Sequence, residues 1–307
     1  MNRPAKPEKH PTQPATTSWC VLGYRVALVR AREQNLAPDQ REELREAGIP
    51  HEVPRPAETQ SFTIPNVTAQ IPGLDLHAEY APDRSGGDFF DFVHIGSRVC
   101  FLLADIAGSR AETEPIAAAT QAAFRPAAAD LVCPADANLM ESTELLVQAV
   151  NHALMGAARG IHFAPTFVGC YDLSLGVLAY VNAGGQTAML RDSEGTRPLP
   201  NIGMPLGLFT HLTFDASMQV LEPGAQLLLV TKGVIDTLQG KIPFGPERVQ
   251  EVLANCPRSD AAELTQTTLA AAHGFEKHSR NWLHFGRAPL HKDRTALALI
   301  RKDQKPG

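Results

Sequence analysis

Eight apolar runs of strand length, all beyond about residue 60, limit what this chain can fold into. They read LDLHAEYAP, DFFDFVHIG, RVCFLLADIAG, TFVGCYDLS, GVLAYVNAGG, TAMLRDSEG, GAQLLLVTKG and TALALIRK, and each stops at turn-forming residues. Connections such as Gly-Gly and Asp-Ser-Glu-Gly favour antiparallel hairpins. Helical blocks fall between groups of runs rather than after each one: ETEPIAAATQAAFRPAAADLV, STELLVQAVNHALMGAARG, and PERVQEVLANC leading into AAELTQTTLAAAHGF. In the first, Pro115 suits an opening turn; in the second, Ser142 caps a stripe of Leu145, Leu146, Ala149, Val150 and Ala153. Grouped strands with inserted helices, without strict β-α alternation, predict an α+β layered sandwich with antiparallel sheets. No GxGxxG or GxxxxGKS/T follows a strand, which disfavours a doubly wound nucleotide fold.

Residues 1–60 have a different texture. The opening stretch is rich in Pro and Thr with little to bury, and is expected to be disordered. A modest helical pattern over 23–50 is broken by Pro38 and stopped by Gly48 and Pro50. The expected organisation is a disordered or helical extension over 1–60, a folded domain over 61–302 and a tail over 303–307. The extension is the candidate for a homodimer contact, although its heptad run is too short to favour a coiled coil.

A formal charge of −5 and a pI near 6.1 give no basic footprint, so nucleic acid is not an expected partner. The N-terminus lacks the apolar segment of a secretory signal and no run is long enough to cross a bilayer, so no membrane association and cytoplasmic residence are expected. The five cysteines, Cys20, Cys100, Cys133, Cys170 and Cys256, are odd in number, widely spaced and never in a CxxC pair. They read as buried or free thiols rather than as a disulfide framework or a zinc site.

Two aspartates stand at strand ends among glycines: Asp88 in SGGDFFDF and Asp105 in LLADIAG. Carboxylates at such places, where the backbone can approach a ligand, suit a hard cation such as Mg²⁺. Taken singly, each reads more readily as a turn-capping residue. The histidines show no HExxH or other ligand spacing.

The order of motifs along the chain changes that balance. IPGLDLHAEYAPDRSGGDFFDF, VCFLLADIAGSRAETEPIAAAT, LVQAVNHAL, TFVGCYDLSLGVLAYVNAGGQTAMLR, GMPLGLF, LEPGAQLLLVTKGVIDTLQG, FGPERVQEVL and KDRTALALI follow one another from about residue 62 to 302. In this the sequence resembles the metal-dependent PPM-type serine/threonine phosphatases, in their bacterial SpoIIE/RsbU branch. The resemblance implies an α-β-β-α sandwich with two antiparallel sheets. It also implies a pair of Mn²⁺ or Mg²⁺ ions that activate water for in-line attack on phosphoserine or phosphothreonine.

Carried over by position, Asp105 matches the acid that bridges both ions, with the Ile106 backbone carbonyl as a further ligand, and Asp88 matches the acid supporting the second ion. The first ion requires two more acids, and there the chain reads TKGVID and KDRT, with Lys232 and Lys292 in place of aspartates. A charged lysine has no lone pair to offer and repels a cation. The resemblance so amended implies at most one ion, or none. Asp236 and Asp293 are the candidate substitutes, but Asp293 is one residue out of place, and such a shift in a strand or turn usually points the side chain elsewhere. Two lysines and two aspartates would also balance without metal in a paired network; alternatively the lysines extend outward to water. Arg84 is a candidate phosphate-binding residue, with a solvated loop arginine as the plainer reading.

Further departures are Arg110 at the last glycine of the DIAGSR loop and Gly185 where the family has histidine. Two functions remain open. One is a serine/threonine protein phosphatase with impaired metal-dependent catalysis, acting on a phosphoprotein such as an anti-sigma-factor antagonist. The other is an inactive pseudophosphatase that binds a phosphoprotein.

Overall fold

The computed structural model describes residues 67–82, 85–134, 136–158, 162–200, 203–257, 260–277 and 293–302, all within the unit Gln60–Gly307. The expectations for residues 1–60, for the tail, and for Arg84 and Lys292 lie outside the described residues.

Along the chain the strands are β1 (Val67–Ile71), β2 (Leu74–Tyr80), β3 (Gly87–Ile95), β4 (Arg98–Ile106), β5 (Thr166–Asp172), β6 (Val177–Ala183), β7 (Thr187–Asp192), β8 (Gly195–Pro198), β9 (Ser217–Val220), β10 (Gln226–Val230), β11 (Leu238–Gln239), β12 (Ile242–Pro243) and β13 (Thr295–Arg301). The helices are α1 (Arg110–Val132), α2 (Leu139–Ala157), α3 (Lys232–Ile235), α4 (Gly245–Asn255) and α5 (Ala261–Lys277). All eight runs singled out in the sequence become strands.

The strands form a six-stranded sheet in the order β1-β2-β13-β10-β7-β8 and a five-stranded sheet in the order β3-β4-β5-β6-β9, with β11 and β12 as a separate hairpin. Every pairing among them is antiparallel. Alternate side chains on a strand point to opposite faces, and this sorts the core into layers. Leu76, Ala78, Leu227, Leu229, Leu297 and Leu299 of the first sheet meet Phe90, Phe101, Leu103, Phe167 and Tyr180 of the second. The opposite face of the second sheet packs against Ile116, Phe124, Leu146 and Val150 of α1 and α2. The opposite face of the first packs against Val249, Leu253 and Leu264 of α4 and α5. The outcome is the α-β-β-α sandwich.

Two local expectations change. Helix α1 opens at Arg110, so Pro115 lies inside it rather than in its opening turn, and Pro126 lies inside it as well. Helix α2 is capped by Asn138, whose Oδ1 accepts from the amide of Met140 at 3.1 Å. Ser142 is buried instead, and its hydroxyl donates to the Leu131 carbonyl at 2.9 Å. That bond ties α2 to the end of α1, and so a residue with capping chemistry serves a tertiary contact.

Candidate active site

Strand parity brings the acids together. Phe90 of β3 and Leu103 of β4 face the space between the sheets, so Asp88 and Asp105, each two residues away, share that face at one end of the sandwich. They are also direct partners across the β3–β4 ladder. Asp88 is buried, while Asp105 is half-buried. From the opposite sheet, Thr231 follows β10 and Thr295 opens β13 with the same inward parity. Both hydroxyls donate to Asp88 Oδ2, Thr231 at 2.6 Å and Thr295 at 2.5 Å. The two threonines are themselves joined, since the Thr295 amide donates to Thr231 Oγ1 at 3.1 Å.

Burial holds the Asp88 carboxyl well above the usual carboxylate range; the charges of Asp105 and Asp293 push it the same way, against the two threonine hydroxyls. Asp293 lies near enough for its charge to act on Asp88. It precedes β13, where strand alternation does not govern the side chain. Its Oδ1 accepts from the amides of Ser85, at 2.5 Å, and Gly86, at 2.8 Å. Buried at 4% exposure, it fastens the glycine turn that leads into Asp88.

That turn needs glycine at position 87. A β-carbon there would stand 2.2 Å from the Ile106 carbonyl oxygen and 2.7 Å from Thr113 Cγ2. The Ile106 carbonyl, sought as a ligand, thus lies against the Cα of Gly87. Arg110 starts α1 with its amide donating to the Ser85 carbonyl at 3.0 Å, and it lines a cleft with Gly86, Gly87, Asp88, Thr113 and Glu114. Glu112 Oε2 accepts from the Ser109 amide at 2.9 Å and from its hydroxyl at 2.7 Å, which holds the Glu112 carboxyl below its ordinary range. His162 Nδ1 is hydrogen-bonded to the Ala107 carbonyl at 2.8 Å, bracing the loop beyond Asp105.

Lys232 does not neutralise the acids. It is exposed as the first residue of α3 and, among the described residues, makes no ion pair. Asp236 is half-buried at the end of α3, where its amide donates to the Lys232 carbonyl at 2.8 Å; the charges that raise Asp88 are those of Asp105 and Asp293. Gly185, in place of the family histidine, has φ +82°, a conformation that disfavours a side chain.

Sequence reasoning passed over Thr231, Thr295 and His162. The two threonines stood inside the quoted TKG and KDRT turns and were legible as part of those motifs; His162 had no spacing signal.

The family model for stage II sporulation protein E (SpoIIE) matches residues 95–301, well over half of the chain. This chain belongs to the SpoIIE family. The phosphoserine phosphatase RsbP of Bacillus subtilis is 23% identical over 233 residues, 75% of this chain and 55% of RsbP. Protein IcfG of Synechocystis sp. is 36% identical over 93 residues, 30% of this chain and 15% of IcfG. The SpoIIE-family chain thus spans only part of each of these curated relatives. Its fold matches the RsbU and RsbW domains of Rv1364c from Mycobacterium tuberculosis with a TM-score of 0.58 at 24% identity, over 77% of this chain and 62% of that one. It also matches the catalytic domain of the phosphatase PstP, solved with 2 manganese ions, with a TM-score of 0.51 at 17% identity, over 75% of this chain and 99% of that one. The architecture is that of the PPM-type phosphatases.

Whether these residues suit such an ion is a question of donor chemistry. Asp88 and Asp105 supply hard carboxylate oxygens, and a divalent cation held there would offset the Asp105 repulsion that adds to burial in raising Asp88. Among the described residues, no group of three or more His, Cys, Asp or Glu side chains is arranged to hold a metal. The two carboxylates have the donor chemistry that a hard divalent cation takes.

Proposed function

We propose that this domain is a serine/threonine protein phosphatase working with a reduced metal complement, at most one Mn²⁺ or Mg²⁺ held by Asp88 and Asp105 with the Ile106 carbonyl. The observation that carries the reading is the cross-strand pairing of Asp88 with Asp105 on the inner face. When bound, such an ion supplies Lewis acidity toward a phosphoryl oxygen and acidifies water. The chain's own part is positional. Thr231 and Thr295 fix the Asp88 carboxylate from the opposite sheet, and Asp293 fixes the glycine turn beneath it. Likeness to a phosphoserine phosphatase supports a phosphoprotein substrate, such as an anti-sigma-factor antagonist, and a homodimer through residues 1–60 is part of the same proposal.

Lys232 favours a second reading, a pseudophosphatase that binds a phosphoprotein without turning it over. An exposed ammonium at a family acid position supplies positive charge but no metal ligand. The deciding experiment is Mn²⁺ and Mg²⁺ titration by calorimetry, with p-nitrophenyl phosphate and phosphopeptide hydrolysis in the same buffers. The wild type, Asp88→Asn, Asp105→Asn and the Lys232→Asp/Lys292→Asp double variant are compared. Slow metal-dependent turnover by the wild type, lost in either asparagine variant, is the expected result. A wild type that neither binds metal nor hydrolyses, beside a double variant that gains metal binding, establishes the pseudophosphatase.

A further inference from the structure

The widely spaced cysteines are not all isolated. Cys100 of β4 and Cys170 of β5 stand directly opposite each other in the ladder, on the face covered by α1 and α2. Both have 0% exposure, and Cys100 Sγ donates to Cys170 Sγ at 3.1 Å. Directly opposed residues on antiparallel strands have Cα atoms about 4.5–5.5 Å apart. That lies inside the span of about 4.4–6.8 Å that a disulfide tolerates. Closing the bond to about 2.0 Å requires the sulfurs to approach by about 1 Å, a side-chain adjustment rather than a backbone one.

We propose that Cys100 and Cys170 are a modification site, a dithiol that hydrogen peroxide converts reversibly to a cross-strand disulfide inside the helix-covered face of the second sheet.

The surroundings differentiate the two sulfurs. The Cys100 thiol, by donating to it, lowers the Cys170 thiol below its ordinary range, against burial, with help from the Arg98 charge. Cys100, as the donor and buried, is raised. Arg98 is itself fixed: Nε donates to its ladder partner Asp172 at 3.1 Å, and Nη1 donates to the Val132 carbonyl at 2.9 Å. It lies two residues from Cys100 on the same face, so a cation is held beside the pair. Cys170, the sulfur that accepts this hydrogen bond, is assigned as the nucleophile and Cys100 as the resolving thiol.

In the first step the Cys170 thiolate attacks one peroxide oxygen, the O–O bond breaks, and the departing hydroxide takes up a proton to leave as water. Cys170 then carries a sulfenic acid. In the second, the Cys100 sulfur attacks that sulfur, the S–O bond breaks, and the hydroxide leaves as water with the Cys100 proton. Two thiols are oxidised to one disulfide and one peroxide is reduced to two waters. With no exposed surface at either sulfur, the rate is set by local opening of the α1–α2 cover. The inference does not depend on the phosphatase reading.

The test uses the reduced full-length chain, exposed to hydrogen peroxide while folded, then denatured, alkylated with N-ethylmaleimide and digested with trypsin. The peptides over 99–110 and 160–191 are expected as a linked pair in the major product, released by dithiothreitol, and absent from the Cys170→Ser variant. The wild-type map decides by itself if that variant does not fold. The proposal is overturned if both cysteines are recovered alkylated under conditions that oxidise the exposed Cys133, or if each is recovered separately as a sulfinic acid.

Discussion

The hydroxyl of Thr295 donates to Asp88 Oδ2 at 2.5 Å across 207 residues of chain, and Thr231 reaches the same oxygen from 143 residues away. These two bonds join the sheets at the end where the acids stand. Thr295→Val keeps the shape and removes the donor, leaving a buried carboxylate short of a partner. The expected cost is about 1–3 kcal/mol, read from urea unfolding. Thr231→Val should cost at least as much, because it also removes the acceptor of the Thr295 amide. The double variant should fall short of the sum, since both donors serve one oxygen. Unchanged unfolding midpoints would show that neither bond matters to the fold.

Asp293 serves two backbone donors through one oxygen, which separates its structural role from its charge. Asp293→Ala strands the amides of Ser85 and Gly86 and should destabilise the domain by about 1–3 kcal/mol. Asp293→Asn keeps an acceptor and should recover most of that loss. Equal losses in the two variants would mean that the charge, not the acceptor, is what the turn requires.

Two glycines should respond to alanine with opposite signs. At Gly87 a β-carbon would stand 2.2 Å from the Ile106 carbonyl, a backbone atom held in the ladder, so Gly87→Ala should cost about 3 kcal/mol or more. At Gly156, within α2, a β-carbon meets nothing within 4 Å. Gly156→Ala should stabilise by about 0.5–1 kcal/mol, through the entropy that glycine loses in a helix. Thermal unfolding of the two variants side by side checks the pair.

The start of α1 should loosen in acid. Glu112 is held below its ordinary range by the Ser109 hydroxyl and then the Ser109 amide. A depressed carboxyl contributes stability that is present above its unfolded value and is lost as pH falls through its folded one. The wild type should therefore exceed Glu112→Gln in unfolding midpoint at neutral pH, and the gap should close at pH values below the ordinary glutamate range. A gap that does not change with pH would assign the difference to helix propensity instead.

Much of this molecule is legible in its sequence. The eight runs from LDLHAEYAP to TALALIRK became strands, because a strand-length apolar run and the turn residues that end it are local properties. The acids at strand ends, Asp88 and Asp105, and the lysine that breaks the pattern, Lys232, were visible for the same reason. Short strands without a striking run, such as β9, were not, since their conformation is stabilised by the neighbour they pair with. Ser142 was misread as a cap because its chemistry suits both a helix start and a bond to Leu131, and only packing chooses between them.

Sequence alone determined where the strand-length apolar runs and the helical blocks lie, and hence an α+β layered sandwich with antiparallel sheets. Tertiary structure alone decided what meets at the ends and centres of those layers: Thr231 and Thr295 on Asp88, Asp293 on the glycine turn, and Cys100 against Cys170. The reason is physical. Side-chain alternation is encoded by neighbours along the chain, whereas strand register, sheet-to-sheet distance and the field of one buried charge on another exist only once distant segments have packed.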